Sequence, residues 1–175
     1  MSIQTIKSEI KDFAKDIRLN FGSIFTVEGS PDLSLIQIYG IALASAYTTK
    51  NLKLSNAIAT EGEILDTVTI DAAKSASSIM AMNNIYYRFL HSISDKEFSK
   101  MPAKLRMNVI ANSGIGKTDF ELMCLAVSAI NGCGMCMDSH LNHLVESGVS
   151  RQGIQSCIRI ASVINATNQA ILIAD

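Results

Sequence analysis

Apolar side chains recur at helical spacing along nearly all of the chain, and the strict alternation of a half-buried strand is scarce. Only two prolines, Pro31 and Pro102, interrupt its 175 residues. The pattern predicts an all-α fold in a single domain over residues 1–175. Helices are expected over 3–19, 31–48, 52–60, 64–92 (broken once), 102–111, 119–131, 133–146, 151–165 and 167–174, with a loop over 20–30. Both prolines then fall at helix starts, where a missing N–H costs nothing.

An internal repeat is expected within this frame, with related halves at about 31–93 and 117–175. The stretch from Lys74 to Asn84 aligns without a gap on that from Arg159 to Gln169, and five of eleven positions agree: Ala76/Ala161, Ser77/Ser162, Ile79/Ile164, Ala81/Ala166 and Asn83/Asn168. Upstream, Gly62 and Gly148 mark similar helix ends, which sets Tyr47, Lys50 and Leu54 opposite Cys133, Cys136 and His140.

Charge narrows the function classes. Lys and Arg number 15 against 16 Asp and Glu, so the basic excess of a non-specific nucleic-acid binder is missing. Charged residues are 18% and apolar residues 48% of the chain, a balance that favours burial between subunits. The longest uncharged runs, 33–49 and 122–137, contain Gln, Asn, Gly and hydroxyl side chains and fall short of a membrane span. The first fifteen residues lack the apolar stretch of a secretion signal, so a cytoplasmic protein without a structural disulfide framework is expected.

The chemistry concentrates between Glu121 and His143. Asn131-Gly132 is expected to close one helix, with the glycine left-handed, and Cys133 to open the next. Unpaired N–H groups and the positive dipole end lower a thiol pKa there. Cys136 follows three residues later on the same face, within bonding reach. This Cys-x-x-Cys suits a redox dithiol; metal binding and inert packing are the alternatives. His140 lies one turn beyond Cys136 and is placed to take its proton. His143, a further turn away, is assigned to solvent or packing. Glu121 is the last charge before a long apolar run, so burial is expected to raise its pKa. Thr118 and Glu121 also fit a capping box. Cys124 and Cys157 sit alone in apolar patterns and are taken as core.

Three other motifs are weaker. Cys133, Cys136, His140 and His143 share a helical face, but four ligands on one straight helix cannot converge on zinc. Covalent haem attachment needs His where Met137 stands. The run from Ala111 to Thr118 ends like a phosphate loop, yet it lacks the first glycine and a preceding strand, so it reads as a loop into the Thr118 cap.

Glu121, Cys133, Cys136 and His140 resemble the Glu…Cys-x-x-Cys-x-x-x-His signature of AhpD-type alkylhydroperoxidases, of the carboxymuconolactone decarboxylase-like superfamily. The likeness extends over most of the chain and is most specific over 106–148. It implies an all-helical fold of two related halves, assembled as a trimer. It also implies a dithiol that reduces the disulfide of an AhpC-type peroxiredoxin and, weakly, hydroperoxides. A lipoyl-bearing acyltransferase and dihydrolipoamide dehydrogenase would re-reduce the pair, and no bound cofactor or metal is implied. The family roles fall on Glu121 and His140 as proton relay and on Cys133 and Cys136 as the redox disulfide. Met135 stands where some members carry a histidine, so any proton transfer from that position is lost. A sensing thiol module without turnover, or a zinc-binding helical module, are the competing readings.

Overall fold

The computed structural model describes residues 2–174. All regular structure among them is helical. Nine α-helices are assigned there: α1 (Ile3–Glu9), α2 (Lys15–Ser23), α3 (Leu35–Thr48), α4 (Leu52–Ala59), α5 (Thr67–Ser92), α6 (Asn108–Ala111), α7 (Lys117–Ile130), α8 (Gly134–Glu146) and α9 (Arg151–Leu172). None is long and apolar enough to cross a membrane.

Two helices form the centre. α3 is buried without interruption from Ile38 to Ala46, and α7 from Phe120 to Ser128. Helices apolar on every side must be enclosed by others. They pack on each other, and each also packs on α5 and α9. At Gly40 an added Cβ would meet the Met123 methyl at 2.5 Å, so the end of that side chain would have to shift. Gln37 Nε2 donates to Asp119 Oδ1 across the same contact at 2.8 Å. Gln37 and Asp119 are each the third residue of their helix.

One succession occurs twice around this centre. α3 and α7 each have fourteen residues. Each is followed by one further residue (Thr49, Asn131), then a left-handed residue (Lys50, φ 61°; Gly132, φ 69°), then the N-cap of the next helix (Asn51, Cys133). These caps correct the register read from the sequence. Asn51, Leu54 and Ile58 stand opposite Cys133, Cys136 and His140, whereas Tyr47, Lys50 and Leu54 do not. The α5–α9 alignment also shifts by one residue. Counted from the caps Asp66 and Ser150, the buried Met80, Asn83 and Asn84 match the buried Ile164, Thr167 and Asn168. Small residues made the ungapped match at the wrong offset.

Other boundaries also differ. The first predicted helix breaks at Ile10, which is extended (ψ 111°) and fully buried, and whose carbonyl accepts from Arg18 Nη1 at 2.8 Å. Neither proline starts a helix. Pro31 lies in a turn, and α3 begins after Ser34, which forms a capping box with Gln37. Pro102 lies in an irregular segment, and only the single turn of α6 follows. α5 is unbroken and α9 runs through Ala166, because no Gly or Pro interrupts either interior where a break was expected.

Candidate active site

The end of α7 and the start of α8 hold the two cysteines. Gly132 takes the left-handed conformation that ends α7, in a place open enough that only backbone energetics select glycine. Cys133 caps α8, and its Sγ accepts from Cys136 N at 3.3 Å. The sulfurs are joined as the Cys133–Cys136 disulfide, with Cα atoms 5.3 Å apart. α5 pins this link from outside. Arg88 Nη1 donates to Asn131 O at 2.7 Å, Asn131 Nδ2 to Asn84 Oδ1 at 2.9 Å, and Asn84 Nδ2 to Ser128 Oγ at 3.0 Å. The cysteine backbone is thus held by a polar network whose members are paired.

Glu121 lies buried on α7, 3% exposed, and faces α8. Its Oε2 is 2.6 Å from His140 Nδ1, and its Oε1 is 3.5 Å from His143 Nδ1. Burial pushes the Glu121 carboxyl up. The hydrogen bond and charge of His140, aided by His143, outweigh burial and hold it below the ordinary carboxylate value. The expected net rise from burial is thereby corrected: it considered the apolar run alone and omitted the two imidazoles that α8 supplies. The capping box is corrected too. The cap of α7 is Gly116, which puts Asp119 rather than Glu121 at the third helical position. Thr118 therefore caps nothing, and Glu121 is free to point at α8.

An ionised Glu121 accepts from His140 Nδ1–H, which leaves Nε2 as the nitrogen that exchanges protons. That nitrogen sits 3.3 Å from Met80 Sδ on α5. Cys136 and His140, one turn apart, both line a cavity of about 340 Å³; Cys133 does not border it. Glu121 and His143 border the same cavity, and α5 contributes Met80, Asn83 and Tyr87 as the facing wall. Met107, Ile110 and Met135 make its remaining surface largely apolar. All four sequence-picked residues therefore converge on one place: Cys136, His140 and Glu121 at the cavity, Cys133 bonded behind.

His143, expected in solvent or packing, is half-exposed as that reading requires and also reaches the second oxygen of Glu121 at 3.5 Å. Its spacing of three from His140 was the available signal. Met80, Asn83 and Tyr87 had no sequence signal, because only the packing of α5 on α8 brings them here. Cys124 and Cys157 are fully buried core thiols. Burial pushes Cys157 up to about 12, and burial plus the Glu121 charge pushes Cys124 well above its usual range. Neither is a nucleophile at neutral pH. Among the described residues no three His, Cys, Asp or Glu side chains are grouped to hold a metal ion.

Alkyl hydroperoxide reductase AhpD of Coxiella burnetii is 52% identical over 98% of this chain and 97% of its own length. The proteins of that name from Rhodopseudomonas palustris and Brucella anthropi are each 48% identical, over 98% and 100% of this chain and 93% and 99% of their own lengths. The chain belongs to the AhpD-type alkylhydroperoxidase family. Residues 96–174 also match the carboxymuconolactone decarboxylase family, and they include the whole α7–α8 link.

Proposed function

We propose that this chain is an antioxidant thiol oxidoreductase of the alkyl hydroperoxide reductase type. The observation that carries the reading is a dithiol in its disulfide form, one sulfur of which opens on a cavity shared with a buried, hydrogen-bonded Glu–His pair. In the reduced protein His140 Nε2, oriented by Glu121, takes the Cys136 proton. The Cys136 thiolate attacks the terminal oxygen of a hydroperoxide. A sulfur–oxygen bond forms, the O–O bond breaks, and the departing alkoxide takes the relay proton to leave as alcohol. The Cys133 sulfur then attacks the Cys136 sulfenic acid. The disulfide forms and water leaves, so two thiols are oxidised for each hydroperoxide reduced. Attack on the disulfide of an AhpC-type peroxiredoxin uses the same two sulfurs and ends in the same bond.

Regeneration reverses the bond from the cavity that Cys136 lines. One thiol of a dihydrolipoyl group attacks Cys136 Sγ, Cys133 leaves as a thiolate that Cys136 N–H and the α8 start stabilise, and the second lipoyl sulfur then closes the lipoyl disulfide and releases Cys136. The donor is a dihydrolipoyl group carried by an acyltransferase and kept reduced by dihydrolipoamide dehydrogenase. A cytoplasmic homotrimer is the expected assembly. Ile85, Phe89, Phe98 and Met101, all exposed around the end of α5, supply apolar surface for it.

The test is peroxide-dependent consumption of dihydrolipoamide by the purified protein, with and without an AhpC-type peroxiredoxin. Turnover that disappears in Cys133→Ser and Cys136→Ser supports the reading. Wild-type rates in either variant would refute it and leave a sensing role.

A further inference from the structure

Asn83 is 4% exposed and borders the cavity, and its Oδ1 is buried with no hydrogen-bond partner. A buried acceptor left unpaired costs roughly 1–3 kcal/mol. The neighbouring Asn84 shows what this fold does with a purely structural amide: its oxygen accepts from Asn131 and its nitrogen donates to Ser128. Only Asn83 is left without such ties, at the wall facing Cys136 and His140. An untethered carboxamide can turn about its Cβ–Cγ bond and present either its acceptor or its donor to the cavity.

Resting on the peroxidase reading above, we infer that Asn83 is the binding residue for the –OOH group of an alkyl hydroperoxide, whose hydrocarbon body lies against Met80, Tyr87, Met107 and Met135. An unused acceptor asks for a ligand that brings a donor. A disulfide brings none, while a hydroperoxide carries one O–H on an apolar body, which matches a mostly apolar cavity with few polar groups. Turned about its Cβ–Cγ bond to face the cavity, Asn83 Oδ1 accepts from that O–H before reaction. As the O–O bond breaks, the amide N–H donates to the alkoxide while the relay proton reaches it. The carboxamide is neither oxidised nor reduced and gives up no proton.

Thr167 supplies an internal control. It occupies the same place relative to its cap as Asn83, and its Oγ1 is also buried without a partner, but it borders no described cavity. A generic packing defect would make the two behave alike.

The experiment compares Asn83→Leu, Asn83→Ser and Thr167→Val in turnover of cumene hydroperoxide with dihydrolipoamide as donor. It adds a titration of oxidised wild-type protein with cumyl alcohol, followed on the Asn83 side-chain amide resonances. Asn83→Leu should raise KM roughly three- to tenfold, the value of one neutral hydrogen bond, and raise the melting temperature. The serine variant should recover part of the loss, and Thr167→Val should raise the melting temperature alone. The alcohol should shift the Asn83 amide signals saturably. An unchanged KM in Asn83→Leu, or amide signals that the alcohol leaves in place, overturns the assignment. The titration decides the matter if the leucine variant does not fold. Absence of hydroperoxide turnover in the wild type would refute the peroxidase reading instead, whatever the amide signals do.

Discussion

The α3–α4 link and the α7–α8 link share a backbone and differ in what fills it. Each has a fourteen-residue buried helix, a left-handed residue and a side-chain N-cap. In the first link the positions that matter carry Tyr39, Asn51, Leu54 and Ile58, and Leu54 and Ile58 are sealed in the core. In the second the same positions carry Glu121, Cys133, Cys136 and His140. Asn51 caps its helix and also donates to Asn168 Oδ1 at 3.0 Å, which ties the link to α9. Cys133 caps its helix with a sulfur and gives its remaining valence to Cys136. The scaffold thus supplies position, and four side chains distinguish the candidate redox site from a structural joint. The cost is that the second link must keep an ionisable pair buried, which the fold tolerates because the two side chains hydrogen-bond each other.

Breaking the cysteine pair should separate the two links most sharply. Cys136→Ser should reduce hydroperoxide-dependent turnover to background, whereas Leu54→Ala, its counterpart, should cost about 2–5 kcal/mol of stability by denaturant titration and leave kcat per folded molecule unchanged. The relay comes next. Glu121→Gln or His140→Gln should lower kcat by about 100-fold, the ordinary scale of positioned acid–base catalysis, with the helical circular dichroism retained. Tyr39→Phe should change kcat by less than about twofold, since Tyr39 does not border the cavity of Cys136 and His140.

Acid sharpens the same contrast. The Glu121 carboxyl lies below its ordinary value of 4.5 when folded, so its stabilising contribution is complete above that pH and is lost as pH falls through the folded value. Glu121→Gln should therefore flatten the fall in stability below about pH 4.5, as read by thermal melts across pH. No group in the first link should have that effect. The smallest effects concern the left-handed positions. Gly132→Ala should cost about 1–2 kcal/mol, and Lys50→Gly should gain no more than about 1 kcal/mol because the freed unfolded chain offsets part of the relief. Paired chemical melts measure both.

The helical class was legible from periodicity, and the four signature residues from spacing, because both are local patterns that the chain carries in sequence. α7 and α8 obey that logic: Gly132 ends one helix, Cys133 caps the next, and Cys136 and His140 follow on one face. What escaped was set at a distance. Ile10 breaks the first helix because Arg18 captures its carbonyl, and Glu121 leaves its supposed cap because α7 begins earlier, at Lys117. Met80 and Asn83 join the site only because α5 packs against α8. The register of the two halves was misread for a related reason. Ala, Ser and Ile recur too often to fix an offset, whereas caps and buried positions fix it at once.

The central claim is that Cys136, under the Glu121–His140 pair, is the sulfur that meets the oxidant while Cys133 resolves it. Mass spectrometry of the reduced single-cysteine variants after one equivalent of cumene hydroperoxide tests this directly. The account predicts a sulfenic acid on Cys136 in Cys133→Ser and unmodified protein in Cys136→Ser. A sulfenic acid on Cys133 in Cys136→Ser, formed as fast as the wild-type disulfide, would contradict it.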